Sequence, residues 1–422
     1  MLFVLAFAVE LAIRPQNFIT HSDVPRYAEY GSAVVAGKLP YRDVELEYPP
    51  GALPMFVLPA TRLVAFGATT DASWNPPNAA ARRYHRAFEA LVLILGCAVV
   101  ALTGLSLSLL RRPRRAVFLS LGVVALSPLL IGDVYPERFD IWPAALTAGA
   151  LAASVRGRFR LGGALVGLAA AAKVYPALLL PVLVIVAARD RGAREAARVA
   201  ALATGAAAAV FLPFAITAFS ATWQALRIQF QGGLQIESIG SAVLVLATHA
   251  SRALATLGLP GPFTVTDRAA EHGLSRGVLV GPGTGTMATV LNGSLVVVPL
   301  LIWTRLGRSR ADPREDLVRY AAATVTTAVA LGSVLSPQYL IWLVPLVPLA
   351  GGRRGTAATL ALAVAATLTH VWFPWGYFRY ASGLGTGPTL LLLARDLALL
   401  ATALLLVGPR WRAHSRRFAR AA

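Results

Sequence analysis

Apolar residues in this chain come in long blocks, broken by short polar punctuation rather than alternating with polar positions at a helical or strand period. The blocks lie at roughly 87–110, 116–131, 141–155, 161–172, 175–188, 200–219, 287–303, 320–335, 339–350, 355–373 and 388–407. Several approach or exceed the roughly 20 residues that cross a bilayer core. The pattern therefore predicts an all-α polytopic membrane protein. Residues 1–13 are also apolar but short for a span at about 1.5 Å per residue, and they lack the basic lead of a signal peptide. They read either as a short or tilted first helix or as the remnant of a start lying upstream, and the second is favoured.

The punctuation is basic: Arg111 to Arg115, Arg156 to Arg160, Arg189 to Arg198, Arg305 to Arg319, Arg353 with Arg354, and the tail from Arg410. If each block crosses once, all six clusters share one face, and the positive-inside rule makes that face cytoplasmic. The opposite face then receives 14–86, 132–140, the junction at Lys173, 220–286, 336–338 and 374–387. A full crossing by 51–66 or by 239–258 would break this parity, so both are expected to lie on or dip into the outer surface. The expectation is a single membrane unit over 1–422 with about twelve spanning helices. Its outer loops one (14–86) and four (220–286) are long, and no internal repeat of fixed period is evident.

Composition narrows the classes. Hydrophobic residues make up 56% of the 422 and charged ones 14%, far from the average of globular domains. The formal charge of +19 rests on 39 basic residues, of which only Lys38 and Lys173 are lysines. A basic excess invites a nucleic-acid partner, but here it sits between membrane blocks, so none is expected. The single cysteine, Cys97, lies inside an apolar block, which leaves no disulfide framework, thiolate or zinc site.

Chemistry concentrates on the outer face. Asp23, Glu29, Asp43, Glu45, Glu47, Asp71, Asp133, Glu137, Asp140, Glu237, Asp267 and Glu271 all fall there, several at helix mouths beside aromatics and arginine. Three junctions share a Tyr-Pro pair, at Tyr48-Pro49, Tyr135-Pro136 and Tyr175-Pro176, and a fourth reads Pro337-Gln338-Tyr339. Proline suits the first helical turn and tyrosine the interface belt, so the pairs alone argue only for structure. Lys173 argues for more. It interrupts the run GLAAAAKVYPALLLPVL, where a charge costs a few kcal/mol, and a flexible ammonium can meet a phosphate oxygen; snorkelling to the interface is the alternative. Asp23, with Arg26 and Tyr27 within a turn, is on its own residues as easily a cap or a solvated acid as a base. GPGTGT at 281–286 lacks the Lys-Ser/Thr ending of a phosphate loop and reads as a flexible lead into a helix. The six histidines show no ligand spacing with one another, and His370, near Trp372 and Trp375, suits packing better than catalysis. Arg395 and Asp396, inside the last block, are expected to pair or to face the interior.

An aspartate soon after the first helix, then GKLPY and EYPPG, resembles the opening of the polyprenol-phosphate-mannose-dependent mannosyltransferases of glycosyltransferase family 87, in the GT-C membrane class. The likeness continues through DVYPERFD at 133–140, AAAKVYPALLLP at 170–181, FQGGLQIESIGSAVL at 230–244 and SPQYLIWLVPL at 336–346. The resemblance implies a GT-C fold and inverting transfer of a sugar from a polyprenyl-phosphate donor to a lipid or glycan acceptor, at the extracytoplasmic side of the cell membrane. It makes Asp23 the general base, Lys173 and Arg138 the groups that meet donor phosphate, and Glu47 with Tyr48 a wall of the site. Tyr27, Gln235, Glu237, Gln338, Tyr339 and His370 become candidates for sugar or acceptor contacts, and Asp43 and Glu45 revert to solvated positions. No cofactor or metal is implied, since no DxD pair is evident. A lipid-linked sugar flippase or secondary transporter is the rival, though such proteins place ionisable groups near the midplane rather than at one face.

Overall fold

A computed structural model describes residues 1–14, 22–65, 77–230, 232–254, 263–267 and 277–408. Asp71, Glu271, His21, His272 and the tail from Arg410 lie outside the described residues.

The apolar blocks become helices with bounds close to those expected. Among the described residues six are long and apolar enough to cross a bilayer: α4 (Ala79–Leu109), α5 (Arg114–Ile131), α10 (Ala193–Thr217), α13 (Thr284–Gly307), α16 (Gly352–Trp372) and α18 (Thr386–Val407). The other blocks predicted to cross form shorter or more polar elements. These are α1 (Leu2–Ile13), α7 (Ile141–Val155), α8 (Phe159–Ala172), α9 (Leu179–Arg191), α14 (Pro313–Leu331) and the stretch 339–349. That last stretch is broken into α15 (Tyr339–Leu343) and a 3₁₀ turn at Val347–Leu349. Pro345 and Pro348 account for the break, because each removes a backbone donor and clashes with the preceding turn.

Where helices meet, residues are small. On α8, Gly163 and Gly167 face Val199 and Ala203 of α10, and a β-carbon at 167 would lie 2.0 Å from the Ala203 carbonyl oxygen. Such small-residue spacing lets two backbones approach where no water drives them together. α14 is buried nearly all round, through Ala321, Ala322, Ala323, Thr324, Val325, Thr326 and Thr327. By contrast α10 and α13 turn Leu212, Ile216, Val296 and Leu301 outward, as lipid-facing helices do.

Among the described residues, long-range contacts knit the basic clusters before the tail into one end of the molecule. Arg112 pairs with Glu315 at 2.8 Å, Arg189 with Asp316 at 2.8 Å and Arg160 with Glu195 at 2.8 Å, while Arg319 donates to the Leu406 carbonyl at 2.8 Å. Arg354 packs against Gly408. α5, α8 and α14 begin at this end and run away from it, so their C-terminal mouths lie at the other.

At that other end two amphipathic helices cover the bundle. α2 (Val24–Val35) buries Val24, Tyr27, Ala28, Tyr30 and Gly31, a helical stripe. It crosses α3 (Leu53–Ala65) at Gly31, where a β-carbon would fall 2.0 Å from the Phe56 carbonyl oxygen. The block expected to lie on the surface near 51–66 is thus α3, packed on α2 and α4; its counterpart near 239–258 is α12 (Ile239–Leu254), packed on α18 and α13. The remaining helices are the single-turn α6 (Val134–Glu137), α11 (Phe219–Ile228) and α17 (Trp375–Gly383). Among the described residues the all-α expectation meets one small exception, an antiparallel ribbon of β1 (Thr264–Asp267) and β2 (Gly277–Val280). Residues 234–236 extend it through Leu234 and Ile236 backbone bonds to Leu279 and Gly277. GPGTGT forms the turn into α13, with Gly283 at φ +77° as its N-cap.

Candidate active site

The site is assembled from four chain breaks at the mouth opposite the basic end. The first follows α5: Gly132, at φ +73°, reverses the chain, and after α6 Arg138 is extended. The second is Lys173, extended at the end of α8 before a 3₁₀ turn at Tyr175–Leu178. The third is EYPPG. A β-carbon at Gly51 would lie 2.5 Å from the Ala171 backbone, and Trp142 donates to the Gly51 carbonyl at 3.0 Å, so this turn is seated between the ends of α7 and α8. The fourth is the mouth of α14 leading into Tyr339 and Trp342.

Asp23 occupies the N-cap position of α2 but does not use its carboxylate as a cap. Ser22 serves instead, its hydroxyl accepting from the Val24 amide at 3.0 Å. The Asp23 carboxylate, about a third exposed (34%), is ion-paired with Arg138, and the Tyr27 hydroxyl donates to it at 3.4 Å. The Arg138 side chain is buried (10% exposed), and its Nε makes no hydrogen bond among the described residues. Burial disfavours the guanidinium charge, and the Asp23 carboxylate beside it more than offsets that, so Arg138 is held further toward its charged form than usual.

Phe139, next in sequence, carries the aromatic wall, its ring meeting Tyr27 at 5.8 Å, Tyr48 at 5.1 Å and Phe56 at 5.4 Å. Lys173 Nζ sits over that ring at 4.7 Å and lies 3.1 Å from Asp140 Oδ1. The same oxygen accepts from the Trp342 indole at 2.6 Å, while Asp140 Oδ2 is buried without a hydrogen bond among the described residues. Trp342 is stacked between Tyr175 (4.3 Å) and Tyr339 (3.9 Å). Asp23, Tyr27, Tyr48, Arg138, Lys173 and Tyr339 are thereby joined through Phe139, Asp140 and Trp342.

Other expected site residues stand further out. Glu47 turns its carboxylate to Arg26 at 3.1 Å, and its carbonyl accepts from Gln229 at 2.8 Å. Glu237 is buried, accepts from the Trp372 indole at 2.7 Å, and is approached by Gln235 at 3.5 Å. Burial pushes its carboxyl up to about 7, against the pull of Arg395. Arg395 and Asp396 are both fully buried and paired at 2.7 Å, as expected, and Arg395 also donates to the Glu237 carbonyl at 2.6 Å. Gln338 accepts from Ser336 at 2.5 Å. His370 shares a hydrogen bond of 2.7 Å with the Leu129 carbonyl and packs on Gly132; these partners, not the Asp23 group, account for it. Asp43 and Glu45 are exposed, as expected, and so is Glu29.

A second polar network lies behind Arg138. Glu137 meets His85 at 2.7 Å and Ser22 at 2.5 Å, and is ion-paired with Arg14, which also binds Glu89 at 2.8 Å. Burial raises the Glu137 carboxyl, but the His85 hydrogen bond and Arg14 outweigh it and leave it lowered. Ligand atoms of His85, Glu89 and Glu137 lie within 4.8 Å of one another, close enough to share a metal ion. Arg14, paired with both carboxylates, already brings a positive charge to the cluster. His85 and Glu89 share a helix face at i, i+4, a spacing that a comparison of histidines only with one another passes over; no local signal joins them to Glu137.

No curated protein matches the chain. Among solved structures it is similar to the crystal structure of ArnT from Cupriavidus metallidurans bound to undecaprenyl phosphate, with a TM-score of 0.44 and 14% identity over 96% of this chain and 75% of that one. The profile of glycosyltransferase family 87 matches residues 47–337, well over half the length and spanning the Tyr48, Arg138, Lys173 and Glu237 segments. This membrane protein belongs to glycosyltransferase family 87.

Proposed function

We propose that the enzyme transfers a sugar, mannose being the one its sequence blocks favour, from a polyprenyl-phosphate carrier to a hydroxyl of a lipid or glycan acceptor, with inversion. Asp23 accepts the acceptor's proton as its oxygen attacks the anomeric carbon; the bond from that carbon to the carrier phosphate breaks, and the phosphate leaves as an anion. Such a leaving group needs no general acid. It needs fixed positive charge where negative charge gathers, and Arg138 with Lys173 supplies it. The observation that carries this reading is the pairing of a part-exposed Asp23 with a buried Arg138 whose Nε is unspent. At rest the Asp23 carboxylate is paired with Arg138; a carrier phosphate that draws the guanidinium to itself frees the carboxylate to act as base. Asp140 positions Lys173 by its own charge and through Trp342. With the basic end in the cytoplasm, the site faces the extracytoplasmic side of the cell membrane.

The test is to offer the protein, reconstituted in vesicles, a panel of polyprenyl-phosphate-linked mannose, other hexoses and arabinofuranose together with glycolipid acceptors. A covalent product with inverted linkage is expected, mannose being used best. Movement of the lipid-linked sugar across the bilayer with no covalent product would instead make the protein a flippase or transporter.

A further inference from the structure

Glu137 precedes Arg138 and has no part in the proposed transfer chemistry, yet its buried carboxylate gathers partners from three other segments of the chain. Its Oε1 lies 2.7 Å from His85 Nε2 and is ion-paired with the Arg14 guanidinium, while Oε2 accepts from the Ser22 hydroxyl at 2.5 Å. Arg14 in turn donates to Glu89 at 2.8 Å, and Glu89 stands one helical turn beyond His85 on the 31-residue α4. Arg14 pairs with both carboxylates, so the cluster balances its charge from within. Its fixed reference is α4.

Two members of this cluster are chain neighbours of the Asp23–Arg138 pair, Ser22 preceding Asp23 and Glu137 preceding Arg138. Consecutive Cα atoms are about 3.8 Å apart. The Ser22–Glu137 hydrogen bond and the Asp23–Arg138 ion pair are therefore adjacent cross-links between the same two segments, the start of α2 and the end of α6. One cross-link lets two segments swing about it; two fix their separation and their relative rotation. Ser22 adds a third restraint, because its oxygen also accepts from the Val24 amide at 3.0 Å and so aims the first turn of α2.

The two cross-links differ in what the reaction does to them. The ion pair opens when a carrier phosphate takes the guanidinium, whereas the Ser22–Glu137 bond involves neither reacting group and stays closed. We infer that Glu137 is a positioning residue, which through Ser22 holds the Asp23 carboxylate, and through the chain Arg138, at the reacting centre once their mutual ion pair has opened. The inference rests on the roles proposed for Asp23 and Arg138.

The test measures transfer from polyprenyl-phosphate mannose by the full-length protein in vesicles, with turnover counted per donor-binding site and melting temperature recorded beside it. Ser22→Ala, at a part-exposed position, loosens Asp23 alone and should lower kcat about tenfold or more with the donor KM unchanged. A misplacement of roughly 1 Å can cost up to about a hundredfold. Ser22→Thr keeps the hydroxyl and should restore most of the loss. Glu137→Gln offers one acceptor oxygen in place of two, so Ser22 and Arg14 compete for it; kcat should fall and the donor KM should rise, because Arg138 is loosened as well. Ser22→Ala combined with Glu137→Gln should lose less than the product of the two single losses. If Glu137→Gln does not fold, the two Ser22 variants decide. Wild-type kcat in Ser22→Ala, a Ser22→Thr variant as slow as Ser22→Ala, or losses that multiply would overturn the inference and leave Asp23 as the base. Transfer kept by Asp23→Asn would instead overturn the base assignment, and this inference with it.

Discussion

Lys173 and Asp140 form a pair whose partners are both nearly out of solvent, and neither can be removed alone without leaving a buried charge. Lys173→Ala should therefore destabilise the protein by about 3–5 kcal/mol. Lys173→Met with Asp140→Asn should recover most of that loss while leaving transfer abolished. Thermal unfolding in detergent beside a transfer assay separates the two effects. Glu237 carries a different signature. Its carboxyl is pushed from 4.5 up to about 7 in the folded protein, so the folded state holds its proton more tightly than the unfolded chain. Its contribution to stability is present below pH 4.5 and is lost as pH rises through about 7. Relative to Glu237→Gln, the wild-type melting temperature should fall across that window; a constant difference would mean that Glu237 is ionised throughout. Lys173 stood out in the sequence because a charge inside an apolar run is costly, whereas Asp23 and Arg138 were given their roles only by the family resemblance. Asp140, Trp342 and the Glu137 network were not legible. Their roles depend on which loops meet, and no local pattern of residues states that.

Among the elements, the apolar blocks and the helices agree closely: 141–155 is α7 itself, and 388–407 becomes Thr386–Val407. The disagreements have physical causes. α4 starts eight residues before its block because Asn78 caps it, accepting from the Ala81 amide at 2.9 Å, and because His85 and Glu89 on its polar first turns find buried partners. The 339–350 block breaks at two prolines. Helix crossings were not legible, although they hang on single glycines. Gly167→Ala should force α8 from α10 and cost about 1–3 kcal/mol. Gly205→Ala on α10, where a β-carbon meets nothing within 4 Å, should be neutral or stabilising by up to about 1 kcal/mol. Thermal unfolding of the two variants side by side checks the pair. Gly31→Ala at the α2–α3 crossing should lower activity as well, since α2 carries Asp23.

For the whole molecule, the expected parity of the basic clusters has a geometric counterpart, among the described residues, in the ion pairs of Arg112, Arg160 and Arg189 at one end and the Asp23 group at the other. The proposed sidedness rests on that arrangement together with the positive-inside rule. With Cys97 replaced by Ala, a cysteine at the exposed Glu45 should react with an impermeant maleimide in intact cells, and one at the exposed Arg308 should react only after permeabilisation. The reverse labelling would place the site on the cytoplasmic side. The Asp23 carboxylate is proposed as the base for sugar transfer from a polyprenyl-phosphate donor. Its most direct test compares wild type with Asp23→Asn, both purified at the same yield and melting temperature, for product formed from that donor. A fall of at least about a hundredfold is expected, the usual weight of a positioned base, with donor binding retained. Unchanged transfer by the variant would rule out Asp23 as the base.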